Sequence, residues 1–170
     1  MVARLLSVPV AAYIRIHQDR FLQAGQPICP SSRGAVRNHF SPGLLDTVRI
    51  VEADPLPVAH PPFANLGRRF GWSYPGIEQT AAITFGPTIA ARQPMDNSLL
   101  FHELVHVVQY RLLGIAEFAR LYVRGLLRTR SYHAIPLEAC AFELEARFQF
   151  HREPFDVEAE VTRWMHEKRF

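Results

Sequence analysis

Two histidines four residues apart, with a glutamate directly after the first, stand in the segment His102-Glu103-Leu104-Val105-His106. On an α-helix such a pair is about 40° apart around the axis and about 6 Å apart along it, so both imidazoles can reach one ion. Glu103 falls on a neighbouring arc, where its carboxylate can approach a metal-held water without itself being a ligand. Zinc suits this donor set and brings the pKa of its water down to about 7. The chemistry expected is hydrolysis, in which Glu103 takes a proton from that water as a carbonyl is attacked and then returns it to the leaving amine. With 8 His and 11 Glu in 170 residues, chance would give about 0.02 matches to this pattern, before any demand for a helical context. The bland alternative is a pair of core histidines satisfied by backbone or by nearby carboxylates. Burying two imidazoles and a carboxylate in an apolar helix is costly without partners, and one shared metal satisfies all three.

A catalytic zinc site takes three protein ligands and keeps a fourth position open. A third histidine soon after His106 would complete the metzincin pattern, but the chain continues Val107-Val108-Gln109-Tyr110-Arg111-Leu112-Leu113-Gly114. The candidates lie further on, at His133, Glu138, Glu143 and Glu145. Glu138 sits in the first turn of a predicted helix beside its apolar stripe, where it can face the histidines, although the helix dipole alone would also favour a carboxylate there. Glu143 has Arg147 at i+4 and reads as a solvated partner of it. Glu145 is about 10 Å beyond Glu138 along a helix, too far for both to hold one ion.

The elements that must position these groups are legible in outline. A helix from about Ser98 to Leu113 is capped by Asp96 or Asn97 and closed by Gly114. Leu, Val or Phe occupies almost every face of it, which marks it as central and buried. An amphipathic helix follows from Glu117 to Arg128, with arginines at the negative end of its dipole. After a loop from Ser131 to Ile135, Pro136 opens a third helix with Leu137, Cys140, Ala141, Leu144 and Phe148 as its buried stripe. Pro154 ends it, and Asp156 caps a terminal helix to about Lys168.

Upstream, a first helix is expected from Val10 to Leu22, closed by Gly25 and Pro27, with a loop from there to Pro42. Thr47 to Val51 reads as a short strand, and Gln79 to Ala91 as a strand pair or one bent strand around Gly86-Pro87. Between them runs a connection containing Pro55, Pro57, Pro61, Pro62 and Pro75, long enough to border a site.

At this length and composition the chain reads as one domain, residues 1–170, with a mixed α/β portion over 1–95 and a helical portion over 96–170. Hydrophobic residues make up 48% and charged residues 21%, ordinary for a globular protein and far from the regime of disorder. The formal charge of +3 rests on arginine, Lys168 being the only lysine. Arg120, Arg124 and Arg128 share one helix face, but with no aromatic interleaving they read as a solvated surface, and no nucleic-acid partner is expected. Cys29 and Cys140 are too few and too far apart for a disulfide framework or a thiolate zinc site. No apolar run approaches the roughly 18 residues of a spanning helix, and the apolar stretch from Leu5 to Ile14 is broken by Pro9 and followed by no cleavage site, so a cytoplasmic protein off the membrane is expected.

The segments Ala82-Ile83-Thr84-Phe85-Gly86-Pro87-Thr88-Ile89, Leu100 through Tyr110, and Tyr132-His133-Ala134-Ile135-Pro136-Leu137-Glu138-Ala139-Cys140-Ala141 resemble small bacterial gluzincin-like domains of the zinc metallopeptidase class. The resemblance covers residues 44–150. It implies an α+β fold in which a small sheet packs on a mainly helical half around a central helix bearing the motif. It further implies zinc held by His102, His106 and Glu138, with Glu103 as general base and a peptide or protein as substrate. In such a fold the strand at Ile83 to Phe85 lies beside the central helix and can pair with an extended peptide. Tyr132 or His133, just ahead of Glu138, can donate to a developing oxyanion. The chain shows no second large lobe to wall a cleft, which motivates an alternative, a catalytically weak or inactive zinc-stabilised protein-interaction domain. Oligomeric state leaves no mark in the sequence.

Overall fold

A computed structural model describes residues 2–59, 77–92, 95–151 and 153–170. Pro61, Pro62 and Pro75 of the proline-rich connection lie outside these. The described chain is mainly helical with a small three-stranded sheet, an α+β architecture.

Helix α1 spans Val2–Ala24, earlier than its expected start at Val10, because Pro9 lies within it. A proline there removes one N–H and so one bond to the carbonyl four residues back. That carbonyl belongs to Leu5, on an exposed face of the helix, where water can take the bond. The opposite face, with Ala11, Ile14, His17 and Phe21, is buried. The expected loop to Pro42 instead holds α2, Pro30–Val36, and the start of α3, Pro42–Thr47. Each begins on a proline, whose fixed φ suits the first helical turn, and in α3 the Ser41 hydroxyl accepts a cap bond from the Leu44 amide at 3.3 Å.

The sheet is built from β1, Arg49–Glu52, β2, Ala82–Phe85, and β3, Thr88–Ala91. β2 and β3 form a strand pair across the Gly86-Pro87 turn rather than one bent strand, with Thr84 opposite Ile89. β1 runs parallel to β3, giving the order β1-β3-β2 and leaving β2 at one edge. β3 is buried along its whole length, as befits a central strand covered on both faces.

Helix α4 spans Asn97–Thr129 and is broken at Gly114, whose φ of 72° and ψ of 161° leave the helical region. A left-handed backbone is accessible to glycine at little cost, so the expected boundary holds, and the chain resumes a helix directly after it. Asp96 caps the start, accepting from the Leu99 amide at 2.8 Å. Every residue from Leu100 to Tyr110 is buried. Two apolar clusters meet on α4, one around Leu100, Phe101, Leu104, Val105 and Val108 and the other around Tyr110, Phe118 and Leu121. Apolar burial contributes roughly 25 cal/mol per Å², so this helix is a principal source of the fold's stability.

Helix α5, Pro136–Phe150, and helix α6, Val157–His166, complete the chain. Leu137, Cys140, Ala141 and Leu144 are buried as expected, while Phe148, partly buried, stacks on Phe101 at 4.4 Å between ring centroids. The Asp156 carboxylate accepts from the amides of Glu158 and Ala159 at 2.9 and 3.1 Å. The start of α5 is pressed against the distal part of α4 at Gly125, where an added Cβ would lie 2.9 Å from Pro136 Cδ and 3.1 Å from Ile135 Cγ2. A side chain there must push α5 away, and Glu138 with it. Gly125→Val is expected to lower stability by about 1–3 kcal/mol, read as a fall in the urea midpoint; an unchanged midpoint would show that the two helices can part without cost.

Candidate metal centre

His102 and His106 are carried one helical turn apart on α4, and Glu138 is brought to them by the first turn of α5. The candidate ligand atoms of these three residues all lie within 4.8 Å of one another, and the three side chains are buried. Glu138 Oε2 is 3.5 Å from His102 Nε2 and 3.2 Å from His106 Nε2. Donor atoms at tetrahedral zinc, bonded at about 2.0–2.2 Å, sit roughly 3.3–3.5 Å apart. The two Glu138–histidine separations match that spacing, and the whole group, within 4.8 Å, must draw in somewhat to hold a divalent ion.

Both histidines are oriented from behind. His102 Nδ1 lies 3.0 Å from Glu145 Oε2, and Glu145 Oε1 accepts from Ser98 Oγ at 2.9 Å and from Gln149 Nε2 at 3.1 Å. His106 Nδ1 lies 2.8 Å from Gln109 Oε1, and the Gln109 amide donates to the Leu137 carbonyl at 2.9 Å. A carboxylate or amide oxygen on the far ring nitrogen is the usual companion of a metal-binding imidazole, because it fixes the ring and raises its basicity.

Glu103 stands outside the ligand set. It is 5% exposed, and its Oε2 accepts from Thr84 Oγ1 at 2.6 Å, so β2 reaches over α4 to hold it. Thr84 itself is buried.

The charges of the group are strongly coupled. Burial alone would lower the His102 pKa, but its hydrogen bonds to Glu138 and Glu145 and the nearby Glu103 charge override this and raise it to about 10. Burial likewise opposes charge on His106, and Glu138 beside it raises it all the same. Burial pushes Glu138 up, yet the two imidazoles hold it well below the usual carboxylate range. Without metal, the carboxylate and the two imidazoles thus each favour the charged form of the other.

Of the four third-ligand candidates, the structure brings Glu138 to the histidines. Glu145 is near the site but behind His102, seven residues along α5, where it orients the ring. Glu143 is not paired with Arg147: it meets Arg169 at 3.1 Å, and Arg147 meets Glu160 at 2.8 Å. The i+4 pairing lost because α6 and the C-terminal residues offer both partners a closer match. His133 is exposed, and its ring centroid lies 5.2 Å from those of Tyr132 and Phe142. Phe142 in turn lies 4.6 Å from His102, so Tyr132 and His133 reach the neighbourhood of the site through an aromatic side chain that sequence reasoning overlooked. Gln109 and Thr84 were overlooked as well. Gln109 had a signal, since i+3 from His106 shares its helix face; Thr84, across a hairpin and 19 residues from Glu103, had none.

The arginine face is partly engaged: Arg120 donates to Glu117 at 2.7 Å and Arg124 to the carbonyl of Phe170. Cys140 is buried, its thiol pushed up to about 12 chiefly by burial, Cys29 is exposed, and the two are not bonded to each other. No described helix is long and apolar enough to cross a membrane. No protein-family model matches the chain, and no curated protein or solved structure matches it.

Proposed function

We propose that this protein is a zinc-dependent hydrolase of the metallopeptidase type, with a minimal gluzincin-like arrangement and a peptide or protein as substrate. The observation that carries the reading is the division of labour among four buried groups. His102, His106 and Glu138 converge as a group, while Glu103, not among them, accepts from Thr84. A purely structural zinc site is completed by four protein ligands, whereas three ligands with a separate carboxylate is the catalytic pattern.

When bound, zinc supplies Lewis acidity and a nucleophilic water at neutral pH. Glu103 receives and returns the proton, and the Thr84 hydroxyl keeps its carboxylate from rotating away. Tyr132 and His133 are the groups offered for the oxyanion. β2, an edge strand among the described residues and packed beside α4, supports a peptide substrate, since an extended segment can pair with such an edge.

A second reading is favoured by one specific observation: His102, Glu103, His106 and Glu138 are exposed by only 4, 5, 5 and 3%. So closed a site suits a zinc-stabilised protein-interaction domain. Tag-free protein analysed for metal, then incubated with a peptide library and read by mass spectrometry, separates the two. The proposal expects one zinc per chain and cleavage that stops on chelation and returns with zinc. Zinc without cleavage would leave the interaction domain standing, and no zinc uptake would overturn both.

A further inference from the structure

We propose that Gln109 is the positioning residue that decides which ring nitrogen of His106 meets the metal, and that it ties this choice to the placement of the third ligand. The inference rests on the metal-centre reading above. Its argument begins at the far end of the side chain. The Leu137 carbonyl can only accept a hydrogen bond, so the group 2.9 Å from it must be the Gln109 amide nitrogen. The carboxamide oxygen is then the atom 2.8 Å from His106 Nδ1. An amide oxygen cannot donate, so Nδ1 carries the hydrogen. In a neutral ring the lone pair is left on Nε2, the nitrogen that faces Glu138 at 3.2 Å.

The reverse orientation of the amide would set two oxygens against each other at Leu137. Gln109 is 0% exposed, so water is not at hand to replace either bond. A carboxamide on this apolar helix is costly unless both ends are satisfied, and here both are. Leu137 directly precedes Glu138, so the carbonyl that orients Gln109 and the carboxylate that completes the site move together as α5 docks. His102 is served differently, by the charged Glu145 and its Ser98 and Gln149 partners, which carry no link to the backbone beside Glu138.

The test is zinc binding by competition with a chromophoric chelator, using wild type, Gln109→Leu and Gln109→Glu. Leucine removes both bonds and should weaken zinc binding about 10–100-fold; glutamate keeps an acceptor for Nδ1–H but sets its second oxygen against the Leu137 carbonyl, so it should recover only part of that loss. A role limited to packing would lower the stability of the metal-free leucine variant and leave its zinc affinity unchanged, which would overturn the proposal. Should the leucine variant not fold, ring-nitrogen NMR of the zinc-loaded wild type decides. A slowly exchanging Nδ1–H with zinc on Nε2 is expected for His106, and zinc on Nδ1 would sink the assignment while leaving the metal centre intact. Wild type that takes up no zinc would instead remove the metal-centre reading, and this inference with it.

Discussion

Replacing Glu138 with alanine is expected to cost the metal-free protein about 3–5 kcal/mol and to abolish zinc binding. The magnitude is that of removing one partner from a buried ion pair, which strands the other charge in a low-dielectric interior. Two imidazoles lose their counter-charge at once, and both are buried within 5% exposure. Glu138→Gln should cost less, because the amide oxygen can still accept from one ring. Urea unfolding of metal-free wild type and both variants checks the order. Near-equal midpoints for wild type and Glu138→Ala would show that the cluster is hydrated or neutral.

The same cluster sets a pH dependence of metal-free stability. His102, raised from 6.5 to about 10, contributes stability that is complete below about 6.5 and is lost as pH rises towards 10. Glu138, depressed from 4.5, contributes above that value and loses its contribution as pH falls through its low folded-state pKa. The plateau lies between about 4.5 and 6.5. Zinc must displace the proton that His102 holds up to about pH 10, so its apparent affinity rises with pH through neutrality while metal-free stability falls. Guanidinium melts at pH 6 and pH 9, with and without zinc, should show opposite trends.

What could be read from the residues alone follows the range of the interactions involved. The helix bearing the motif, its Asp96 cap and its break at Gly114 are local features, decided by periodicity and by side chains within a turn of each other, and they stand as expected. The strand pair around Gly86-Pro87 was visible for the same reason. The start of α1 was not, because Pro9 ordinarily ends a helix and only the exposed placement of its broken turn makes it tolerable. α2 falls inside the expected loop because Pro, Ser and Gly dominate it, and α3 falls between that loop and the strand expected from Thr47; seven- and six-residue helices carry too little periodicity to declare themselves. At the site, the two histidines declared themselves through spacing. The third ligand was left among four acidic or imidazole candidates because the docking angle of α5 on α4 is a tertiary property, governed in part by the close approach at Gly125. Glu143 went to Arg169 and Glu145 to His102 for that reason: intrahelical spacing proposes partners, and packing of neighbouring elements disposes of them. Thr84 was invisible because the contact between β2 and α4 depends on how the hairpin lies across the helix.

Glu103→Gln is expected to lower hydrolysis by about 10²–10⁴-fold while zinc content and the thermal midpoint of the zinc-loaded protein stay close to wild type. The substitution keeps shape and volume, and an amide oxygen can still accept from Thr84 Oγ1, the bond that holds the side chain at 2.6 Å. What it removes is the capacity to take a proton and give it back. Glu103 lies outside the three converging ligands, so metal retention is the sharper half of this expectation. Zinc lost along with activity would make Glu103 a ligand, and the catalytic division of labour would fail. Thr84→Val extends the argument one step outward: it removes the hydroxyl at nearly constant volume and leaves the carboxylate without the partner that fixes Oε2. A smaller fall in kcat is expected there, with KM and zinc content little changed, because substrate and metal are held by other groups. If Thr84→Val were to lower zinc content instead, β2 would be bracing the ligands, and the closed, interaction-domain reading of the site would gain the advantage.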